Sequence, residues 1–375
     1  MSAHPALSSA IAFGEMNAPN RVFMAPLTRC RSEQPGDIPW ELNAEYYRQR
    51  ASSGLILSEA TQISPQGKGY AFTPGIHSLE QVEGWKLVTS AVHKRAGRIF
   101  CQLWHVGRIS HVDLQPNGQA PVAPSAQRAE SKTITSATSG RVDVSMPRAL
   151  ETNELPGIVE QYRSAAANAK AAGFDGVEIH GANGYLLDQF TRDGTNRRTD
   201  DFGGPIANRL RLPLQVAEAV CAVWGSGRVG YRVSPMGGTG DLKDSTPDQT
   251  FGELASQLGA MKLAYIHAVE AFRTYERNDE NERIHAHINE RFKAAGGGIY
   301  IGNGGLTPDE ADRRIQDGLA DAVAFGELYI ANPDLAERIA QGGPYNKPDP
   351  DTYYAGDAGD EAGYTDYPSL EQMNA

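Results

Sequence analysis

The sequence predicts a closed parallel (β/α)8 barrel, the TIM-barrel architecture. Eight short β-rich runs alternate with longer patterns typical of amphipathic helices, and eight such units close a parallel sheet on itself. A chain of 375 residues with 40% hydrophobic content can bury one large core of this kind. An open doubly wound sheet is the alternative, but APLTRCR after the first strand lacks the glycine-rich dinucleotide turn that such sheets use.

The elements follow one another along the chain. Strands are predicted at 21–27, 54–59, 98–103, 176–179, 228–233, 264–269, 298–302 and 322–325. Helices between most of them are predicted at 81–95, 155–172, 207–224, 247–261, 281–294 and 308–317. We therefore expect residues 1–375 to form a single barrel domain.

Three segments depart from the repeat. Residues 11–22, with Gly14 and Asn17 between apolar runs, predict an N-terminal hairpin that plugs the bottom of the barrel. Residues 111–149 are polar and rich in Ser, Pro, Thr and Gly, with a β-like stretch at 142–146. An insertion after a strand's carboxyl end lies on the catalytic face, so residues 111–149 either form a capping lid or have no role in the site. The tail from Pro344 onward has an aromatic content that predicts packing on the body.

Composition excludes several classes of protein. The formal net charge is −11, from 35 basic and 46 acidic residues, and no Lys/Arg-rich run indicates nucleic-acid binding. The three cysteines Cys30, Cys101 and Cys221 are widely spaced and form no CxxC pair, which favours a reducing compartment. The N-terminus lacks a signal-peptide pattern, and no apolar run is long enough to cross a membrane. We expect a cytoplasmic protein without a membrane partner.

One turn carries the strongest chemical signal. In GVEIHGANGYLLDQF a buried strand runs into a helix start, and His180, Asn183 and Tyr185 lie on the turn between them. His180 and Asn183 offer N–H donors for one carbonyl oxygen, while the phenol of Tyr185 can deliver a proton to another atom. Alone, His180 is better explained as a satisfied structural residue, whereas for three such groups within six positions a site and a structural role are equally good explanations.

Polar residues also end the other predicted strands, and the carboxyl ends of barrel strands converge on one mouth. The set is Thr28, Glu59, Gln102, His105, His180, Arg232, His267 and Asn303. A flat polar ligand would satisfy their hydrogen-bonding groups. GNGG at 302–305 and the Phe325-Gly326 turn follow the seventh and eighth strands, where this fold binds phosphate. Their position favours a phosphorylated cofactor.

Ordered motifs along nearly the whole chain resemble the Old Yellow Enzyme family of flavin-dependent ene-reductases. The matching stretches are RVFMAPLTRCR, AEYYRQRASSGLILSEATQISPQGKGY, CQLWHVGRIS, VEIHGANGYLLDQFTRDGTNRRTDDFGG, YRVSP, DAVAFG with ANPDL, and GYTDYPSL. The resemblance implies one FMN-containing barrel in which NADPH or NADH reduces the flavin. Hydride then passes from flavin N5 to the β-carbon of an alkene conjugated to a carbonyl or nitro group.

The resemblance also implies roles by position. Tyr185 would protonate the α-carbon, and His180 and Asn183 would bind the substrate oxygen. Cofactor-binding positions implied by the family pattern are Pro26, Leu27, Thr28, Ala60, Gln102, Arg232, Asn303, Gly304, Gly305, Gly326 and Glu327. Arg232 would stabilise negative charge at the flavin pyrimidine edge. Tyr70, Trp104 and Tyr354 would line the substrate pocket, although core packing explains each of them equally well.

Glu327 is a departure from the family pattern, which usually has Arg there in contact with the FMN phosphate. A carboxylate near a phosphate dianion is repulsive unless it turns away or a cation screens it. Backbone amides around Gly304, Gly305 and Gly326 would still bind the phosphate, with Arg209 or Lys243 as compensating cations. We expect weaker FMN retention than is usual in the family.

Two other classes of function stay open at this point. A metal-dependent hydrolase barrel is suggested by His105, His180 and His267 near strand ends, but the first strand lacks an HxH pair, so no metal ligand set is assigned. A non-catalytic flavin- or ligand-binding barrel is suggested by Glu327 alone. The physiological alkene, the preferred nicotinamide and the choice between monomer and homodimer are left open.

Overall fold

The computed structural model describes residues 2–237, 241–272, 277–354 and 361–373. Its strands are β1 Ile11–Phe13, β2 Met16–Ala18, β3 Val22–Met24, β4 Ile56–Gln62, β5 Ile99–Trp104, β6 Val122–Ala123, β7 Lys132–Thr133, β8 Val142–Asp143, β9 Arg148–Ala149, β10 Gly176–His180, β11 Val229–Val233, β12 Tyr265–Val269, β13 Ile299–Asn303 and β14 Ala322–Phe325. Its α-helices are α1 Glu41–Gln49, α2 Leu79–His93, α3 Leu155–Ala171, α4 Leu186–Thr191, α5 Ile206–Arg209, α6 Arg211–Trp224, α7 Pro247–Ala260, α8 Asp279–Ala294, α9 Pro308–Gln316, α10 Glu327–Ala331, α11 Leu335–Gln341 and α12 Leu370–Met373.

A closed barrel of parallel strands forms the centre of the molecule. The order is β3-β4-β5-β10-β11-β12-β13-β14, and β14 closes the ring by pairing Val323 with Val22 of β3. Every residue of these eight strands is buried, as expected where the sheet faces packed side chains inside and helices outside. The predicted (β/α)8 barrel is confirmed, and each of its eight strands contains predicted strand residues.

An N-terminal hairpin fills the bottom of the barrel. β1 and β2 pair antiparallel around Gly14, whose φ of +51° and whose approach to Gly227 leave no room for a side chain. A Cβ on Gly14 would lie 2.1 Å from the Gly227 carbonyl oxygen, so only glycine fits. Phe13 packs 5.6 Å from the ring of Phe23 and 6.2 Å from that of Tyr265 inside the barrel. The predicted plug is confirmed.

Within the part of the chain that the structure describes, the α-helices differ from the sequence prediction by one division and by four helices that were not predicted, namely α1, α10, α11 and α12. The helix expected over 207–224 is divided into α5 and α6, because Pro213 has no N–H to bond the Arg209 carbonyl four residues earlier. α1 was not predicted, since its buried face combines Leu42 with Asn43, Tyr46 and Tyr47 rather than an aliphatic stripe. Among the described residues, no helix is long and apolar enough to cross a membrane.

The insertion over 111–149 forms two small ribbons above the carboxyl end of β5. β6 pairs with β9, and β7 pairs with β8, which contains part of the predicted β-like stretch. The Thr133 hydroxyl donates to the Gly69 carbonyl, and the Ile134 carbonyl accepts from the Ala71 amide at 2.8 Å. Because Gly69 and Ala71 flank Tyr70 in the chain, these bonds hold the β7–β8 ribbon next to Tyr70 in the barrel mouth.

The C-terminal tail packs on the first loop of the barrel. Guanidinium groups of Arg29 and Arg31 donate to the carbonyl oxygens of Thr352, Tyr353, Ala362 and Gly363 at 2.7–3.3 Å. The ring of Tyr364 stacks on that of Tyr46 at 4.0 Å and 7°. Aromatic packing of the tail is thus seen in its described part, while residues 355–360 and 374–375 lie outside the described residues.

Candidate active site

The turn after β10 has a backbone that only a few residues adopt easily. Asn183 and Gly184 both have positive φ, at 57° and 82°, which suits Asn and Gly. The Asn183 amide donates to Ser234 Oγ at 2.7 Å, and the Gly184 amide donates to Asp188 Oδ2 at 2.9 Å. The buried Asp188 is paired in turn with Arg192 at 2.7 Å. A satisfied polar layer therefore holds this turn in one conformation.

His180 ends β10 and is buried beneath that turn. Its Nδ1 accepts from the Ala182 amide at 3.3 Å, and its burial, followed by the positive charges of Arg232 and His267, lowers its pKa well below the ordinary value. The ring is therefore neutral at pH 7. Because Nδ1 is the acceptor, we assign the proton to Nε2, which leaves one N–H donor for a ligand.

Tyr185 lies next to His180 at the start of α4. The two rings meet edge-on with centroids 5.0 Å apart, and the Tyr185 hydroxyl is 3.3 Å from the hydroxyl of Tyr70. Burial, with the neighbouring phenol of Tyr70, raises the pKa of Tyr185 well above 10. The phenol is therefore protonated throughout the neutral range, as a proton donor must be.

Aromatic rings surround these groups. Tyr70 stacks on Trp104 at 5.9 Å and 8°, and Trp104 meets Tyr185 edge-on at 5.1 Å. The buried Ala60 packs against this cluster. Burial, aided by the nearby phenol of the half-exposed Tyr354, raises the pKa of Tyr70 to about 12. Tyr70 and Trp104 thus form one aromatic surface with Tyr185, against which Ala60 packs, while Tyr354 is near enough to influence the pKa of both phenols.

A polar network lies across the barrel below the turn. Arg232 donates to Asn303 Oδ1 at 2.9 Å, and the Asn303 amide nitrogen donates to the Ala324 carbonyl at 2.6 Å. Gln102 donates to Glu178 Oε1 at 2.7 Å, while Glu178 Oε2 lies 2.8 Å from Nδ1 of His267. Asn303 and Glu178 therefore fix the directions of the Arg232 and Gln102 side chains.

The loops after β13 and β14 form an open cradle of backbone amides. Gly305 has a φ of +61°, and a Cβ there would meet nothing within 4 Å. Among the described residues, none accepts a hydrogen bond from the backbone N–H of Gly305 or Gly326. The Glu327 side chain is exposed and accepts from the Tyr353 hydroxyl at 3.2 Å. This arrangement fits an anionic group such as a phosphate, with the Glu327 carboxylate engaged by the tail.

Pro26, Leu27 and Thr28 follow β3 and are partly exposed at the same mouth. They occupy the loop next to Gly326, since a Cβ on that glycine would lie 3.5 Å from a Leu27 methyl group. Arg29 and Arg31, which follow directly, are the residues that anchor the tail. The first loop therefore joins the mouth to the last described part of the chain.

Not every polar residue predicted at a strand end faces the mouth. Glu59 lies within β4 and is buried toward α1, where it accepts from the Tyr47 hydroxyl at 3.4 Å, and burial raises its pKa to about 7. His105 is buried behind the turn, where its Nδ1 accepts from the Gly107 amide and burial lowers its pKa to about 3. A register shift in β4 at residues 57–60 accounts for the turned-away Glu59.

Of the two cations considered for the phosphate, Arg209 is bound elsewhere. Arg209 donates to the carbonyl oxygens of Thr191 and Gly204 and to Thr250, and it pairs with Asp244. The Lys243 carbonyl accepts from the Gly194 amide, which places this loop beside the same region. Compensation by Arg209 was a wrong expectation, because backbone carbonyl oxygens and Asp244 occupy its guanidinium. Compensation by Lys243 stays a prediction, since the contact described here involves only its backbone.

Sequence reasoning missed the supports of the site. Glu178 bridges Gln102 and His267, and Asp188 and Ser234 hold the turn that carries Asn183. A signal for Glu178 was present, since a carboxylate inside an otherwise apolar buried strand needs partners. Nothing in the sequence says which partners these are.

The chain is similar to known proteins along most of its length. The model of the NADH:flavin oxidoreductase / NADH oxidase family matches residues 7–346. The chain is 44% identical to 12-oxophytodienoate reductase 1 of Oryza sativa subsp. japonica over 363 residues, covering 96% of this chain and 92% of that protein.

Solved structures give the same result. A structure of morphinone reductase has a TM-score of 0.91 and 47% identity and covers 98% of this chain and 97% of its own. The old yellow enzyme homologue from Zymomonas mobilis has a TM-score of 0.89 and 40% identity, covering 97% and 99%. These relatives give no support to the hydrolase or to the non-catalytic barrel. The chain therefore belongs to the NADH:flavin oxidoreductase / NADH oxidase family, the Old Yellow Enzyme family, and is an FMN-dependent ene-reductase that uses NADH or NADPH.

Proposed function

We propose that His180, Asn183 and Tyr185 are the catalytic residues and that the substrate is a small alkene conjugated to a carbonyl or nitro group. The observation that carries this is the neutral His180, whose Nδ1 is occupied by the Ala182 amide. Its Nε2–H is left to bind the substrate oxygen. Asn183, three residues along the same rigid turn, adds a second donor.

When bound at the mouth, FMN would supply the hydride for the β-carbon of the alkene. Negative charge then develops on the substrate oxygen, where fixed donors from His180 and Asn183 are most effective because they need no reorganisation. Tyr185 completes the addition by giving its phenolic proton to the α-carbon. Its raised pKa keeps this proton in place until the α-carbon becomes basic.

The aromatic surface selects the shape of the substrate. Tyr70, Trp104 and Tyr354 provide flat apolar walls around the proton donor, which suits a planar conjugated group. The β7–β8 ribbon of the 111–149 insertion, bonded on both sides of Tyr70, acts as a cap that limits access of water. One chain carries all of these residues, so a monomer and a homodimer each contain complete sites.

The same mouth holds the cofactor. Pro26, Leu27, Thr28 and Ala60 would line the flavin ring, while Gln102 and Arg232 would bind its pyrimidine edge. The supporting observation is that Asn303 and Glu178 fix these two polar side chains. The amides of Gly304, Gly305 and Gly326 bind the phosphate, and Glu327 stays at the edge of that cradle.

An anaerobic visible spectrum of the FMN-loaded protein tests the proposal. We expect NADPH or NADH to bleach the flavin band and 2-cyclohexenone to restore it. In a His180→Ala/Asn183→Ala double variant, restoration should slow about 10²-fold or more, since one oxyanion donor alone contributes that much. Tyr162→Phe is the control, because Tyr162 is buried among α3 core residues away from the mouth. If 2-cyclohexenone restored the flavin band of the double variant at the wild-type rate, His180 and Asn183 would not be the residues that bind the substrate oxygen.

A further inference from the structure

A buried charge cluster adjoins the phosphate cradle and has no place in the catalytic turn. Glu270, just after β12, is fully buried and accepts from the Tyr300 hydroxyl at 2.9 Å. Arg314 donates to Glu270 at 3.2 Å and to both carboxylate oxygens of Glu282 at 2.8 and 3.0 Å. These bonds neutralise Arg314 and leave Arg277 as the second cation of the cluster.

Arg277 donates fewer hydrogen bonds to described residues than Arg314 does. Its Nη2 donates to the Gly304 carbonyl oxygen and lies 3.4 Å from Glu270 Oε2, and its Nε is 3.8 Å from Glu282. No described residue accepts a hydrogen bond from its Nη1, and 22% of the side chain is exposed. The guanidinium is thus fixed at one end and open at the other.

Arg277 lies beside the cradle through its bond to Gly304. Gly304, which binds Arg277 through its carbonyl, directly precedes Gly305, where a side chain would meet empty space. The loops after the seventh and eighth strands are where this barrel binds phosphate, and a guanidinium presents paired donors that match phosphate oxygens. The family pattern usually has an arginine at position 327 that contacts the phosphate. This chain has Glu327 there, and its carboxylate accepts a hydrogen bond from the Tyr353 hydroxyl.

We propose that Arg277 binds the phosphate of FMN and takes over the role of the missing arginine at position 327. Glu270 is its positioning residue, because the buried carboxylate and the Gly304 carbonyl hold the guanidinium at the cradle. The inference rests on FMN being the cofactor and concerns only its phosphate. It does not depend on the assignment of the catalytic residues.

Flavin binding by the flavin-free full-length protein tests this assignment. Dissociation constants for FMN and for riboflavin are measured by quenching of flavin fluorescence, and their ratio isolates the contribution of the phosphate. In Arg277→Gln we expect FMN to bind about 10- to 100-fold more weakly, the range for loss of one charge-assisted hydrogen bond, with riboflavin unchanged. Unchanged riboflavin binding also shows that the variant is folded.

Two further variants complete the experiment. Arg283→Gln removes the same charge from an exposed position six residues away and should leave the ratio at its wild-type value. Arg277→Lys keeps the charge and should recover part of the affinity lost in Arg277→Gln. An unaltered ratio in Arg277→Gln, an equal weakening of both flavins, or no recovery with Lys would each overturn the assignment.

Discussion

Replacing Tyr185 by Phe removes the proposed proton donor while keeping the ring that packs against Trp104 and His180. Loss of a general acid slows the assisted step about 10²–10⁴-fold. We expect the lower end of that range, because the Tyr70 hydroxyl lies only 3.3 Å from the one removed and offers a second proton. Since the pKa of Tyr185 is raised well above 10, the deficit should be the same at pH 6 and pH 9.

Anaerobic rapid mixing of the two half-reactions measures the effect. Reduction of bound FMN by nicotinamide should keep its wild-type rate, and reoxidation by 2-cyclohexenone should slow about 10²-fold in Tyr185→Phe. Combining it with Tyr70→Phe should slow reoxidation further, whereas Tyr162→Phe should change neither rate. Wild-type reoxidation by both Tyr185→Phe and the double variant would refute the reasoning.

Three other substitutions, one of them with a control variant, test the surrounding structure. His285 is buried, and burial lowers its pKa to about 4. The folded state therefore disfavours its protonation, so its contribution to stability is present above pH 6.5 and declines as pH falls. The free energy of unfolding in urea should fall less between pH 8 and pH 5 in His285→Asn than in the wild type, by up to about 2 kcal/mol. An equal fall in both proteins would contradict this. Asp188→Ala leaves Arg192 buried without its partner and should cost about 3–5 kcal/mol. Glu160→Gln removes an exposed ion pair with Arg163 and should change the free energy of unfolding little. Similar changes in Asp188→Ala and Glu160→Gln would contradict a stabilising role for the buried pair of Asp188 and Arg192. Glu327→Arg should tighten FMN about tenfold by replacing repulsion with attraction, and an unchanged dissociation constant would show that the side chain never approaches the phosphate.

The barrel was predictable because its signals are local. Each strand is a short apolar run, and each helix repeats apolar residues at helical spacing, so neighbouring residues carry the information. The division of 207–224 by Pro213 could also have been anticipated, because the missing N–H follows from the residue type. α1 was harder to find, since its buried face includes Asn43, which hydrogen-bonds Tyr364 from the far end of the chain.

The site was predictable only in part. His180, Asn183 and Tyr185 lie within six positions, and the structure keeps them together on one turn. The hydrogen bond from Gln102 to Glu178 forms because β5 and β10 are neighbouring strands. The residue types alone do not say which strands pair. Arg209 illustrates the reverse error, because a cation of suitable charge was bound by nearby carbonyl oxygens instead of a ligand.

The bonds from Arg29 and Arg31 to the tail have a consequence for biosynthesis. Arg29 leaves the ribosome more than 300 residues before its acceptor on Gly363, so the mouth cannot acquire its final wall during most of translation. Contacts of such large sequence separation form late because the intervening chain must first be ordered. The contacts of the tail with the first loop therefore form only after Gly363 has been synthesised, and a nascent chain stalled before Tyr353 would display an unfinished barrel mouth.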